Sequence, residues 1–298
     1  MAKRFTAIVV LVAAMVLGTT ALMMGAGSEG QGAERVVRTF ALEPGQEIRI
    51  VAWNGPITFE TWDRDVVEIE ARTEPTGIAR WLWRLLAGEA TVRFTEDERG
   101  VRAEVEATRG MLGRASLAIA FHVRVPREWT GTVSLTTSNG RIQAAGLAGQ
   151  ATLRTSNGAI SVRGATGVLD ARTSNGTIHV ADVNGQLTAV TSNGAVQVLS
   201  GTLSGTGRVQ TSNGAVELHT GLAPAASYDV TTSNGSVTAR LVSPNVALDL
   251  TTFNGDIRLE TEVTVSAVDS RRLVGRIGAA DALLKIRTTN GSIVLGTL

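Results

Sequence analysis

The chain has no cysteine in 298 residues, which excludes disulfides, thiolate metal sites, cysteine nucleophiles and a lipidated N-terminal cysteine. Aromatic residues make up only 4% of the sequence although 43% is hydrophobic, so large rings cannot dominate the core. Neither sign of charge is in excess, with 28 Lys and Arg against 27 Asp and Glu. A nucleic-acid partner is therefore not expected, because such proteins gather basic residues on one face.

The N-terminus has the features of an export signal. Lys3 and Arg4 precede an apolar run over residues 5–24, which small residues follow. This order is typical of a secretory signal peptide, and a run of about 20 residues can also span a bilayer. We predict a signal peptide or N-terminal membrane anchor over 1–27 and a spacer over 28–35, with the rest of the chain extracytoplasmic. Membrane contact is expected only through this segment, if it is not cleaved.

One tetrapeptide, Thr-Ser-Asn-Gly or a close variant, recurs along most of the chain. Its asparagines are Asn139, Asn157, Asn175, Asn193, Asn213, Asn234, Asn254 and Asn290. Most spacings are 18 to 21 residues, and the last is 36. A fixed period of this kind is the signature of a repeat architecture. The 36-residue interval predicts one further unit, without its marker, around residues 269–278.

The residues around each asparagine alternate between fixed apolar and variable polar positions. Ile or Val always stands three positions after Asn, and Thr always stands two before it. Alternation with period two predicts strands with one buried face, two per unit, and the threonines share the buried face. We expect glycine at the corner between them because it accepts a positive φ, which Asn also tolerates.

Two architectures fit a strand, an Asn-Gly corner and a second strand. Asn-Gly favours a hairpin and an antiparallel meander. A parallel β-solenoid instead stacks equivalent residues of successive coils, which explains identity at 18-residue spacing, and its stacked amides form a ladder. We therefore predict an all-β parallel solenoid with about 18–21 residues per coil. The predicted structural ladder comprises Asn54, Asn139, Asn157, Asn175, Asn193, Asn213, Asn234, Asn254 and Asn290.

The first part of the mature chain resembles the same fold with fewer markers. We predict an N-terminal β region and cap of the solenoid over 36–130, followed by the Asn-Gly repeats over 131–298. Residues 78–87 interrupt the alternation and predict a short helical insertion. All five tryptophans precede the repeats, as expected if a bulky segment covers the open end of the solenoid.

Three motifs resemble the bacterial putative-adhesin family of β-strand-repeat domains of unknown function. They are Val-Arg-Val-Pro at 123–126, the Thr-Ser-Asn-Gly units themselves, and Thr-Asn-Gly-Ser-Ile-Val-Leu at 289–295. Trp53 to Asp63 is similar to the first strand pair of that family. The resemblance covers about residues 36–298 and implies a β-solenoid in an extracytoplasmic bacterial protein. It implies no catalytic residues.

Chemistry-bearing residues show no obvious cluster in the sequence. Glycan cleavage needs paired carboxylates on one face, but the acids of the repeats share no column in neighbouring coils. His179 and His219 fall in different columns, which disfavours a metal site or a catalytic triad. Calcium sites in repeats need aspartate at the turns, and these corners carry neutral asparagine. We therefore predict no catalytic residues, no metal and no cofactor.

Three aromatic residues are candidates for contact with a partner. Phe253 replaces the serine before Asn254, and Trp81 with Trp83 lies in the predicted helical insertion. Leu298 follows the last full unit by three residues. That predicts an uncapped C-terminal coil, which exposes unpaired strand groups and offers a site for self-association.

The sequence thus favours a non-enzymatic protein of the cell envelope, an adhesin or scaffold with a protein or glycan partner. A carbohydrate-active β-helix is the alternative, and carboxylates grouped on one face would favour it. An envelope-stress sensor is the second alternative.

Overall fold

The computed structural model describes residues 5–11, 35–75, 90–107 and 117–298, which form 23 strands. The first strands are β1 (Phe5–Leu11), β2 (Arg35–Phe40), β3 (Glu47–Val51), β4 (Ile57–Trp62), β5 (Val67–Pro75), β6 (Ala90–Asp97), β7 (Gly100–Ala107), β8 (Leu117–Pro126) and β9 (Gly131–Thr136). The middle strands are β10 (Ile142–Arg154), β11 (Ile160–Arg172), β12 (Ile178–Val190), β13 (Val196–Leu203), β14 (Thr206–Gln210), β15 (Val216–Leu222), β16 (Ser227–Thr232) and β17 (Val237–Leu241). The last are β18 (Val246–Thr252), β19 (Ile257–Leu259), β20 (Thr264–Val268), β21 (Arg272–Ile277), β22 (Ala282–Thr288) and β23 (Ile293–Thr297).

The all-β prediction is confirmed for these ranges, which contain no helix. The helical insertion predicted at 78–87 lies outside the described residues.

No helix in the described part of the chain is long and apolar enough to cross a membrane. Residues 5–11, inside the predicted signal or anchor, form β1 and pair antiparallel with β6. Removal of this segment stays a prediction.

The repeats stack as parallel coils in the register that the sequence predicts. Ile142 pairs with Ile160, and Ile160 with Ile178, in neighbouring parallel strands. Each coil has a leading side, formed by the strand before Asn-Gly, and a trailing side, formed by the strand after it. The meander is therefore wrong for the repeats, and the arrangement is solenoid-like. Identical letters recur because equivalent residues of adjacent coils are neighbours in space.

The core lies between the leading and trailing sides and consists of the inward columns. Ile142, Ile160 and Ile178 are fully buried, as is Leu153 on the leading side. The threonines two before Asn are also buried, at 7% exposure or less. Tyr228, the single tyrosine, lies in an inward column and is 1% exposed.

At the N-terminal end, the coils do not stack in chain order. β3 lies between β7 and β9, and β4 lies between β8 and β10. The coil of β7 and β8 is therefore outside the earlier coil that contains Asn54. Antiparallel strands then cover this outer coil, β6 on the leading side and β5 with β2 on the trailing side. The assignment of residues 36–130 as a cap of the solenoid stays a prediction.

The C-terminal end is also interleaved, and here the structure corrects the sequence prediction. β22 lies between β16 and β18, and β23 lies between β17 and β19. The coil of Asn290 is thus inserted between those of Asn234 and Asn254. The prediction of a markerless unit around 269–278 is wrong, because the 36-residue interval holds a hairpin of β20 and β21, antiparallel to β18.

The prediction of an uncapped C-terminal coil assumed that the last unit in the sequence is also the last coil of the stack. The observed order shows that it is not. The coil that ends near Leu298 is covered on both sides, by Asn234's coil and by Asn254's. The outermost coil is that of Asn254: β21 covers its leading strand, whereas β19, its trailing strand, pairs only with β23 among the described residues. Self-association stays a prediction, and the uncovered strand is elsewhere.

Candidate functional site

The Thr-Ser-Asn-Gly corner joins each coil to the next. Each threonine hydroxyl donates to a glycine carbonyl of the adjacent coil, as in Thr155 Oγ1 to Gly140 O at 2.9 Å. The same bond occurs at Thr137, Thr155, Thr173, Thr191, Thr211, Thr232, Thr252 and Thr288. The backbone N–H groups of Ser156 and Asn157 both donate to Ser138 O. A buried hydroxyl needs such a partner, so the threonine is structural.

The glycine of the corner is required by close approach and not by its backbone angle. A Cβ built on Gly176 would lie 1.9 Å from Gly158 O. Neither Gly176 nor Gly158 has a positive φ. The expectation of a positive φ is therefore wrong at these corners. Successive corners lie so close that only a residue without a side chain fits.

The asparagines form a continuous hydrogen-bonded column. Asn175 Nδ2 donates to Asn157 Oδ1, and Asn193 Nδ2 donates to Asn175 Oδ1, both at 2.7 Å. In spatial order the column runs through Asn54, Asn139, Asn157, Asn175, Asn193, Asn213, Asn234, Asn290 and Asn254. Between the two ends of the column, each amide donates to one neighbour and accepts from the other, which an ionised aspartate cannot do. The side chains of the repeat motif thus hold adjacent coils together.

The surface available for contact consists of the variable outward positions. On the trailing side these form one row, four residues after each Asn: Gln143, Ser161, His179, Gln197, Glu217, Thr238, Val294 and Arg258. Neighbours in this row touch, as His179 and Gln197 do at 3.3 Å and Gln197 and Glu217 at 3.0 Å. At about 4.8 Å per step, the row is roughly 35 Å long.

One cluster of charged residues lies on the trailing side near the N-terminal end. The Arg124 guanidinium is 3.3 Å from carboxylate oxygens of both Glu68 and Glu70 and 3.8 Å from Glu60. His122 Nε2 is 2.7 Å from Glu60 Oε1. Arg35 also binds Glu70 and, chiefly by that hydrogen bond, lowers the pKa of the Glu70 carboxyl.

This cluster could not be predicted from the sequence, because its residues come from three separate strands, β4, β5 and β8. Glu68 and Glu70 alternate on β5, and His122 and Arg124 alternate on β8. Opposite charges alternating on two strands were the available signal, but only the antiparallel register, with Glu68 beside Arg124, brings them together. A general acid in glycoside cleavage needs a raised pKa, and Glu70 has the opposite shift.

The histidines lie apart from one another. His179 contacts Gln197, and His219 lies 3.3 Å from Glu217 in another coil. Within the described ranges, no group of three or more His, Asp or Glu residues could hold a metal ion.

Of the predicted contact residues, Phe253 is described and is 57% exposed. The Arg271 guanidinium lies over its ring, 4.2 Å from the centroid, so a cation already covers part of this ring. Trp81 and Trp83 lie outside the described residues. A contact role for the three residues stays a prediction.

The stack of parallel coils and its Asn-Gly corners define a solenoid-like β-repeat protein. The sequence profile of the family described as Toastrack DUF4097 matches residues 122–295. The chain belongs to this family.

Three solved structures are similar over most of the chain. A putative adhesin from Parabacteroides distasonis is 12% identical, with a TM-score of 0.42, over 88% of this chain and 97% of that one. One from Parabacteroides merdae is 11% identical, with a TM-score of 0.40, over 89% and 97%. A putative cell adhesion protein from Clostridium sporogenes is 8% identical, with a TM-score of 0.27, over 89% and 100%. The comparison with curated proteins gave no match.

Proposed function

We propose that the protein is a non-enzymatic, extracytoplasmic component of the bacterial cell envelope that presents its outward rows to a protein or glycan partner, as an adhesin or scaffold. The observation that supports this proposal most directly is that the fixed and the variable residues of each coil have different roles. The fixed residues of each coil contact the adjacent coils; these are Thr, Asn, Gly and the inward Ile or Val. The variable outward residues are the ones left to contact a partner.

The shape supports this proposal. A stack of coils with matched register gives a flat, extended surface on which neighbouring positions are a strand spacing of about 4.8 Å apart. Repeat proteins use such surfaces to bind extended partners. The apolar run at residues 5–24 supports export, since a basic start and a run of this length are typical of a signal peptide or anchor.

The test is capture of envelope material by the immobilised full chain. Envelope fractions from the native host are divided and treated with protease, with periodate or with neither. A matched variant replaces Gln143, His179, Gln197 and Glu217 by serine, which changes the outward row and leaves every inward column intact. We expect the variant to lose most of the captured material. Equal capture by both chains, or turnover of an envelope glycan, would contradict the proposal.

A carbohydrate-active role is the second candidate, favoured by the three glutamates around Arg124. In cleavage, one carboxylic acid must hold a proton near neutral pH, and Arg35 and Arg124 oppose this at Glu70. Recognition of a sugar fits these residues better than hydrolysis. Arg124→Ala would remove the cation that the three carboxylates share. Unchanged glycan capture by this variant would show that the cluster is not part of the binding surface.

A further inference from the structure

The asparagine column has one open end, at Asn254. Every asparagine between the two ends is held twice, as Asn175 is: its Nδ2 donates to one neighbour and its Oδ1 accepts from the other. Asn254 donates to Asn290 Oδ1 at 2.7 Å, but its own Oδ1 accepts no hydrogen bond from the described part of the chain. The cause is the coil order, because β19 of this coil has β23 as its single partner among the described strands.

The other end of the column, at Asn54, is covered. The coil of β7 and β8 lies beyond it, and Ile119 N–H donates to Asn54 O at 2.8 Å. A Cβ built on Gly55 would lie 2.3 Å from Ile119 O, so this outer coil closes directly on the corner. Asn254 therefore differs from the rest of the column in having no coil on one side.

Asn-Gly is a chemically reactive pair, and the chain contains ten such pairs, nine of them in the column. The backbone nitrogen of the glycine attacks the Asn side-chain carbon Cγ, because glycine has no side chain to obstruct the approach. An N–Cγ bond forms and closes a succinimide ring, the Cγ–Nδ2 bond breaks, and the N–H proton passes through solvent to the departing ammonia. Water then opens the ring at either carbonyl. One water is consumed, one ammonia is released, and aspartate or isoaspartate remains.

The column restrains this reaction, since Cγ must rotate towards the glycine nitrogen before it can be attacked. Rotation breaks every hydrogen bond of the amide, so an interior asparagine loses two and Asn254 loses one. The backbone of the corner does not make the difference. Asn254 N–H donates to Thr289 O and Asn290 N–H donates to Ser233 O, both at 2.8 Å. The two asparagines thus differ in what their side chains bind.

The surroundings of Asn254 favour the reaction in the same direction. Gly255 is partly exposed, whereas its equivalent Gly291 is buried, so solvent reaches the N–H proton of Gly255 more readily. Ile257 is only partly buried, whereas its equivalent Ile293 is fully buried. The outermost coil therefore has less buried apolar surface to keep its corner rigid.

We infer that Asn254 is a modification site, at which the column is deamidated to aspartate or isoaspartate. An ionised carboxylate at this position cannot donate to Asn290, which is then held only by its own bond to Asn234 Oδ1. Asn290 becomes the new open end. The modification therefore proceeds inward from Asn254 to Asn290 to Asn234, in the spatial order of the coils and not in the order of the sequence. It is independent of which envelope partner the protein contacts.

The experiment is a prolonged incubation of the purified full chain in mildly alkaline buffer made with heavy-oxygen water, folded and, in parallel, unfolded in urea. Tryptic peptides over 241–258, 288–298 and 155–163 each carry one column asparagine, which is Asn254, Asn290 and Asn157 respectively. In the folded chain we expect Asn254 to take up label about two- to tenfold faster than Asn157, the factor that one hydrogen bond contributes. In urea the two should react at similar rates, because neither amide is held.

Two variants separate position in the column from local sequence. Asn254→Ala removes the terminal amide, so Asn290 should react from the start at the rate that Asn254 has in the parent chain. Phe253→Ser gives the outermost corner the Thr-Ser-Asn-Gly sequence of the other coils and should leave the rate at Asn254 unchanged. Circular dichroism of both variants checks that the stack is folded.

Three results would overturn the inference. The first is equal uptake at Asn254 and Asn157 in the folded chain, including no uptake at either. The second is reaction at Asn290 before Asn254, which would place the open end of the column elsewhere. The third is the same preference for Asn254 in urea, which would show that the local sequence and not the column sets the rate.

Discussion

Asn290 donates its Nδ2 hydrogen bond to Asn234 Oδ1 at 2.7 Å, although 56 residues separate them in the chain. Asn254 is only 20 residues after Asn234 and would donate to it if the coils stacked in chain order. It donates instead to Asn290 Oδ1, at 2.7 Å. The last coil in the sequence is therefore inside the stack. A coil enclosed between two others is less able to fray than one at the end of a solenoid.

This order can be tested by cross-linking, since the chain has no native cysteine. Thr238 and Val294 are partners in β17 and β23. Adjacent strands are about 4.8 Å apart, which is within the Cα separation of about 4.4–6.8 Å that a disulfide spans. We expect Thr238→Cys with Val294→Cys to form a disulfide on oxidation, detected by mass spectrometry of peptides.

The control pair is Thr238→Cys with Arg258→Cys. Those residues would be neighbours if coils stacked in chain order, but β23 lies between them here. Their separation of about two strand spacings is too long for the bond. Cross-linking of the control pair in place of the first would show that the coils follow the sequence.

The asparagine column should contribute measurably to stability. Asn175→Ala removes two side-chain hydrogen bonds, to Asn157 and from Asn193. Each is worth about 0.5–1.5 kcal/mol, so we expect the free energy of unfolding, measured in urea at neutral pH, to fall by about 1–3 kcal/mol. Ser174→Ala is the control, because Ser174 joins the corner through its backbone N–H. An equal effect of both changes would contradict a specific role for the amides.

Asn175→Asp separates hydrogen bonding from side-chain size. The carboxylate still accepts from Asn193 but cannot donate to Asn157, so two oxygens face each other. A protonated carboxyl restores the donor, which raises the folded-state pKa of Asp above its ordinary value near 3.9. The variant's loss in free energy of unfolding, relative to the parent chain, should therefore be smallest below that pH. It should grow as pH rises through the folded pKa of Asp. A deficit that does not vary with pH would rule out this donor role.

The sequence could predict the corner because its letters are set by contacts between equivalent residues. Thr155 donates to the corner of the preceding coil, and Asn157 donates to Asn139, its equivalent there, so neighbouring coils must match. The order of the coils could not be predicted this way, because Asn234, Asn254 and Asn290 have nearly identical surroundings and each would accept either of the others. The hairpin of β20 and β21 decides the order, and nothing in the repeat specifies it.

The glycine of the corner provides a test of close packing. A Cβ on Gly176 would lie 1.9 Å from the carbonyl oxygen of Gly158, which is backbone and cannot rotate away. We expect Gly176→Ala to cost about 3 kcal/mol or more, at the upper end of the usual range for overpacking. At Gly221 the nearest atom would be 3.5 Å away, so Gly221→Ala should change stability by less than about 0.5 kcal/mol. Comparable unfolding midpoints for the two variants would contradict this explanation.

Tyr228 reports on the interior of the stack because it is the single tyrosine. Its hydroxyl accepts from Leu187 N–H at 2.9 Å and donates to Ser204 O at 3.0 Å. Burial raises the pKa of the phenol, an effect that the Leu187 hydrogen bond opposes. The folded pKa therefore exceeds the unfolded value near 10.

The sign of the pH dependence follows. Below about pH 10 the phenol is protonated in both states, so its contribution to stability is fully present. As pH rises from there through the folded pKa, the unfolded chain binds fewer protons and stability falls. Phenolate absorbance should thus appear above pH 10, together with the loss of the β-sheet circular dichroism signal. Ionisation near pH 10 with that signal intact would mean that the ring is accessible to solvent in the folded protein.

Tyr228→Phe gives the matched control for this titration. The variant leaves the Leu187 N–H without its partner, which costs about 1–3 kcal/mol for a buried donor, and we expect its urea midpoint at pH 7 to fall accordingly. Its stability should then decline less steeply above pH 10 than that of the parent chain, because the group that titrates is gone. Parallel curves for the two chains would show that other groups cause the alkaline transition.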